Sequence, residues 1–185
     1  MLEGWVALTG TPGVGKSTVA NELRLRGIPN VDVGAFAKDN DVTDGFDEAR
    51  MSAIIDPKRV AKALQGRTQK GALLLLDGHW SHDMPGITAA IVVRLRPKEL
   101  QSRLERRGWP SKKVRENVEA EATDVVLQEA TARLGADRVF EIDATGKDLD
   151  QVAKAIFGLV RGPDAAQKKL RPGRVDWSQD VLAWY

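Results

Sequence analysis

The chain contains no cysteine, which removes disulfides, thiolate metal sites and cysteine nucleophiles together and fits a reducing compartment. It has little net charge: 28 basic against 26 acidic side chains leave only +2. Bulk electrostatics therefore demands neither a nucleic acid nor an anionic membrane as partner, and any basic site must be local. Long apolar runs are missing too. The densest, Ala72 to Leu76, falls far short of the ~20 residues needed to span a bilayer. The opening "MLEGWVALTG" has no basic segment and too short an apolar run for a secretory leader, so a soluble cytoplasmic protein without membrane contact is expected.

At 185 residues the chain suits a single domain with a buried core. Five apolar segments have strand length, Trp5 to Leu8, Asn30 to Val33, Ala72 to Leu76, Ala89 to Leu95 and Arg138 to Ile142, with helix-sized stretches between them. Unbroken apolarity, as in "ALLLL" and "AAIVV", suits strands buried on both faces, the situation of a parallel sheet. Helix starts are marked as well. Asp56 and Pro57 read as N-cap and first helical position, Asp148 and Gln151 as a capping pair, and Pro97 opens a segment in which Leu100 and Leu104 share a face until Gly108. The alternation predicts an α/β doubly wound fold with helices on both faces of a parallel sheet. Two stretches break the rhythm: Gly34 to Ile55 is polar and mixed, and Gly108 to about Glu119 is a turn followed by dense charge. Both are expected to be mobile insertions above the sheet. From Gly162 the chain is rich in Pro, Gly and Lys but closes on "VDWSQDVLAWY", apolar enough to dock on this chain or on a partner.

Between the first strand and the first helix stands "GTPGVGKST", which fits G-x-x-x-x-G-K-[ST] through Gly10, Gly15, Lys16 and Ser17. Glycines let backbone N–H groups turn inward as an anion nest, and the positive end of the following helix reinforces it. Bulky side chains would block phosphates there. Lys16 then reaches the β and γ phosphates of a nucleotide, and the Ser17 hydroxyl binds Mg²⁺. Thr18 either touches the α-phosphate or faces a neighbouring helix.

Such a loop needs a carboxylate for the metal at the end of a neighbouring buried strand, and "LLLLDGH" supplies Asp77. His79, two residues on, could orient or deprotonate a water near that metal, or stand in solvent like many loop histidines. Arg103 and Arg107 lie four apart on the Pro97 helix, just before the charged insertion. Positive charge on a movable segment can neutralise a transferring phosphoryl group when the segment closes. Arg106, Lys112 and Lys113 read as a solvated basic helix end.

Taken together, "LTGTPGVGKST", "DVGAFAK", "TDGFDEA", "LLLDGHW", "RLERRGW" with "SKKVRENVEAE", and "QEATARLG" resemble the adenylate kinase isoenzyme six family, small nucleotidases of ribosome biogenesis. The resemblance runs in order over about Leu8 to Lys147, and the compact length points to an archaeal member. Its most specific element is the Asp-x-His of Asp77 and His79, because ordinary adenylate kinases lack that histidine. The resemblance implies a P-loop NTPase of the adenylate kinase type with a five-stranded parallel sheet. The whole chain, 1–185, would be one kinase domain, with a monophosphate-binding segment at 32–55, a lid at 106–116 and a C-terminal tail at 162–185. It implies ATP on Gly13, Gly15, Lys16, Ser17 and Thr18, with Arg107 from the lid and Lys147 from the final loop. It further implies AMP on Gly34, Phe36 and Lys38, Mg²⁺ on Ser17 and Asp77, and catalysis by Lys16, Asp77, His79, Arg103 and Arg107. The implied partners are a platform ribosomal protein of the small subunit and pre-ribosomal RNA, with the free protein a monomer.

One departure matters. Where related sequences favour an acidic residue and an arginine after the glycine, "VGAFAKD" has Ala35 and Lys38. A lysine is a point charge and cannot grip a phosphate as a bidentate fork, which weakens AMP phosphorylation more than ATP binding. Three readings result: phosphoryl transfer from ATP to AMP, an ATP-hydrolysing assembly switch with little AMP kinase activity, and a kinase of another small acceptor.

Overall fold

The apolar segments of the sequence do form the sheet. The computed structural model describes residues 1–47, 52–65, 69, 71–162 and 167–182, so the segments 32–55 and 162–185 lie partly outside the described residues. In chain order the elements are β1 (Trp5–Thr9), α1 (Lys16–Leu25), β2 (Asn30–Asp32), α2 (Val33–Asp39), β3 (Thr43–Asp47) and β4 (Ser52–Ile55). There follow α3 (Pro57–Gln65), β5 (Leu74–Asp77), β6 (Ile87–Arg94), α4 (Pro97–Arg106), α5 (Ser111–Ala122), α6 (Val125–Leu134), β7 (Val139–Asp143), α7 (Leu149–Arg161) and α8 (Ser178–Leu182).

Five strands pair in the order β2-β5-β1-β6-β7, all parallel, as the unbroken apolar runs required. Their side chains alternate between two cores. Val6, Leu8, Ile91, Val93, Phe140 and Ile142 meet α1, α4, α5 and α7, while Ala7, Leu74, Leu76, Ala90, Val92 and Val139 meet α2, α3 and α6. The capping signals hold: Asp56 accepts the Lys58 N–H at 2.8 Å, and Asp148 and Gln151 form a complete capping box.

Both irregular stretches contain regular structure where they are described. Within 34–55, α2 is capped by Asp32, whose Oδ1 accepts the N–H groups of Gly34 and Ala35, each at 2.9 Å, and β3 and β4 pair antiparallel. The stretch from Gly108 is not an insertion above the sheet. After a turn it becomes α5, and Val114 and Val118, four apart, are buried in the core against α4. Its apolar stripe is narrow, which is why dense charge concealed a helix.

The C-terminal tail, where it is described, docks on this chain. The Glu141 N–H of edge strand β7 donates to the Leu170 carbonyl at 2.7 Å, Trp177 is 9% exposed, and Arg96 pairs with Asp180 at 2.9 Å.

Candidate functional site

Open parallel sheets gather ligands at the carboxyl ends of their strands, and here two such ends stand side by side. β1 and β5 are hydrogen-bonded neighbours with Leu8 opposite Asp77, so the aspartate emerges beside the glycine-rich loop that leaves β1. That loop needs its glycines. Gly13 sits at φ +100, and a Cβ there would come within 2.6 Å of Leu104, because α4 packs directly on the loop. Gly15, at φ +111, is the N-cap of α1 and offers no side chain to cap it. The first N–H groups of α1 are thereby left for an anion.

Lys16 is the first residue of α1 and is 8% exposed. Its ammonium folds back to donate to the carbonyls of Gly10 at 2.8 Å and Thr11 at 3.1 Å. Desolvation lowers its pKa to about 8, against the opposing pull of Asp77 and Glu121. Asp77 is 4% exposed. Burial raises its pKa, against a hydrogen bond from Ser17 and the charge of Lys16, and its Oδ1 has no hydrogen-bond partner. A buried carboxylate oxygen without a partner, beside a serine hydroxyl, has the oxygen chemistry that Mg²⁺ takes when a nucleotide's phosphates supply the remaining ligands. The residues present therefore fit that ion.

A cleft of about 410 Å³ opens at this group, its lining including Pro12, Gly13, Lys16, Ser17, Asp32, Gly34, Lys38, Asp77, His79 and Trp80. His79 stands exposed at its mouth. The surrounding walls, then the charges of Lys16 and His82, lower its pKa. Its backbone is anchored by the Thr9 hydroxyl, which donates to the His79 carbonyl at 3.0 Å and lies 3.0 Å from Nδ1 of buried His82.

A smaller hollow of about 90 Å³ brings Gly13, Gly15, Lys16, Ser17 and Thr18 together with Arg107, the C-cap residue of α4. Arg103, one turn earlier, donates from Nη1 to the Val14 carbonyl at 3.2 Å and from Nη2 to Glu99 at 2.6 Å. Both arginines thus approach the loop, Arg103 as a backbone brace and Arg107 as an exposed cation.

Two expected residues lie apart. Lys147 donates to the Asp143 carbonyl and lines a separate hollow with Leu170, Arg174 and Trp177 of the tail. Phe36 is half-buried against the core that α3 covers, and does not line the cleft. Conversely, sequence reasoning passed over Trp80, a large aromatic in the wall of the cleft, although it follows the Asp-x-His directly. Arg94, Glu121 and Glu141 were missed as well, all buried behind the loop; a glutamate in mid-strand of "VFEID" was the available signal.

A sequence model of the AAA domain family matches residues 6–124. Archaeal proteins named "Putative adenylate kinase" are similar over nearly their whole length. The one from Archaeoglobus fulgidus is 37% identical across 95% of this chain and 93% of its own, and that from Methanothermobacter thermautotrophicus 38% identical across 96% and 99%. The Natronomonas pharaonis protein is 39% identical across 95% and 99%. Among solved structures, shikimate kinase from Bacteroides thetaiotaomicron superposes with TM-score 0.50 at 14% identity, over 85% of this chain and 98% of its own. TT1252 from Thermus thermophilus reaches 0.53 at 20%, over the same shares. Likeness at such identity concerns the fold, here an α/β sheet shared with P-loop kinases.

Proposed function

The chain belongs to the AAA domain family and to the group of archaeal proteins named for adenylate kinase, and from that premise we propose that it is a nucleoside monophosphate kinase converting ATP and AMP to two ADP. The observation that carries this reading is the cleft itself. It runs without interruption from the phosphate loop to α2, so donor and acceptor phosphates can meet over Lys16. ATP would lay its phosphates in the backbone nest of Gly13, Gly15 and the start of α1, drawing the Lys16 ammonium off the carbonyls of Gly10 and Thr11. The monophosphate would lie against Gly34 and Lys38, with Trp80 offering a face to the base. In-line transfer needs little covalent chemistry from the protein, so catalysis rests on positioning and on charge from Lys16 and Arg107. Ser17 and Asp77 would hold Mg²⁺, which would neutralise charge on the phosphate oxygens. In this reading 106–116 would be the lid, closing by a shift of the start of α5 on α4 since Val114 is packed in the core, and 32–55 would be the acceptor segment.

A second reading, ATP hydrolysis without an acceptor, is favoured by His79, a neutral imidazole two residues from Asp77 and at the cleft mouth. Such hydrolysis would serve a role in maturing the small ribosomal subunit, with a platform protein or pre-ribosomal RNA as partner. A coupled assay of ADP release, with ATP alone and with ATP plus each of a panel of monophosphates, decides between them. The kinase reading expects AMP to stimulate turnover many-fold and Lys16→Ala to lower it by about 100-fold or more, as lost transition-state charge does elsewhere. No stimulation by any monophosphate removes the kinase reading; His79→Ala without effect on the ATP-only rate removes the second.

A further inference from the structure

Behind the phosphate loop lies a second charged group that the proposed transfer does not use. Arg94, the last residue of β6, is 1% exposed. Its Nε donates to Glu121 Oε1 at 2.7 Å, its Nη1 to Glu141 Oε1 at 2.6 Å, and its Nη2 to the Glu121 carbonyl at 3.1 Å and to the Asp124 carboxylate. Glu121 Oε1 also accepts the Leu95 N–H at 3.1 Å. The remaining carboxylate oxygens point in two directions. Glu121 Oε2 accepts the Thr11 hydroxyl of the phosphate loop at 2.5 Å. Glu141 Oε2 accepts three successive tail amides, Gly173 at 3.1 Å, Arg174 at 3.0 Å and Val175 at 3.3 Å. Trp177 lies over the guanidinium, its ring centre 6.0 Å away, and shields the group from water.

Thr11 is the joint between this network and the site. Its hydroxyl is tied to Glu121, while its carbonyl accepts the Lys16 ammonium at 3.1 Å and the Val14 N–H at 3.3 Å. A nest of backbone donors binds an anion well only if it is ordered beforehand; a loose loop loses affinity to the cost of ordering.

We propose that Glu121, oriented by Arg94, is a positioning residue that sets the phosphate loop through Thr11, and that the docked C-terminal tail completes this brace through Glu141. Nucleotide affinity then depends on tail residues, and among the described residues of the tail none lines the phosphate cleft. The inference rests on the reading of that loop as an ATP site.

The test is calorimetric titration with Mg-ATP of the full chain and four variants, each checked by circular dichroism at the assay temperature. Thr11→Val is expected to weaken binding about tenfold and Thr11→Ser to stay within about twofold of the unmodified protein, since one hydrogen bond to a charged group is at stake. Trp177→Ala, which unseals the network, should weaken binding about threefold on its own and add nothing in the double variant with Thr11→Val, the mark of two changes acting through one network. If Trp177→Ala does not fold, Trp177→Leu takes its place. Unchanged affinity in Thr11→Val, equal loss in Thr11→Ser, or an undiminished effect of the tail variant on top of Thr11→Val each overturns the brace. Failure of the unmodified chain to bind ATP at all would instead overturn the nucleotide reading, so the two failures are distinguishable.

Discussion

The two charged groups on either side of the phosphate loop are built in opposite ways. In front, Asp77 has an oxygen without a partner and Lys16 spends its ammonium on the carbonyls of its own loop. Behind, every side-chain oxygen of Glu121 and Glu141 is taken, and Arg94 is surrounded by acceptors. Both groups are buried, so burial does not separate them. Unfilled carboxylate capacity does, for the unpartnered atom behind is a ring N–H, Trp177 Nε1, and not an acid oxygen. A buried carboxylate oxygen without a partner costs stability, and one that opens on a cleft can be filled by a cation.

That contrast can be broken at either end. Replacing Arg94 by Met should have the largest effect, because it strands three carboxylates behind the loop: about 3–5 kcal/mol of stability is expected to go, lowering Tm by roughly 10 °C in scanning calorimetry. A small change would mean that the rear group is solvated. Asp77→Asn should do the reverse to stability while abolishing function. Turnover should fall about 100-fold or more, while Tm rises by a few degrees. The sign follows from the raised pKa of Asp77: its contribution to stability is full below the unfolded value and lost as pH rises through the folded one, so at neutral pH the charged form opposes folding. A lower Tm in that variant would show that Asp77 is structural.

The third effect is smaller. Lys16 has a pKa of about 8 in the free protein, below its ordinary 10.5, whereas phosphates favour the ammonium. Above pH 8 the lysine must regain a proton to bind ATP, so affinity should fall by up to about tenfold per pH unit, with proton uptake visible in calorimetry in two buffers. Lys16→Met should flatten the profile. A flat profile in the unmodified protein would place the lysine outside the phosphate contacts.

Much of the front group was legible in the chain. "GTPGVGKST" and "LLLLDGH" each combine a local rule with a strand end, and the parallel pairing of β1 with β5 joins them. Of the rear group only Glu141, in mid-strand of "VFEID", left a local signal, because its members come from β6, α5, the α5–α6 junction and β7, and no spacing relates Arg94 to Glu121 or Glu141. Lys147 and Phe36 stand outside the front group. Each was carried over by position along the chain, and the fold turns them toward the tail and the core instead.

Apolar periodicity and helix caps by themselves determined the five parallel strands, α1, α3, α4 and α7, and the loop that receives an anion, because each depends on neighbours within a few residues. Only the tertiary structure decided that 111–122 is a core helix, that the tail lies on this chain, and that Thr11 is tied through Glu121 and Arg94 to Glu141. Those contacts join residues 27 to 110 positions apart, and the energy that selects them exists only when the chain has already excluded water from the place where they meet.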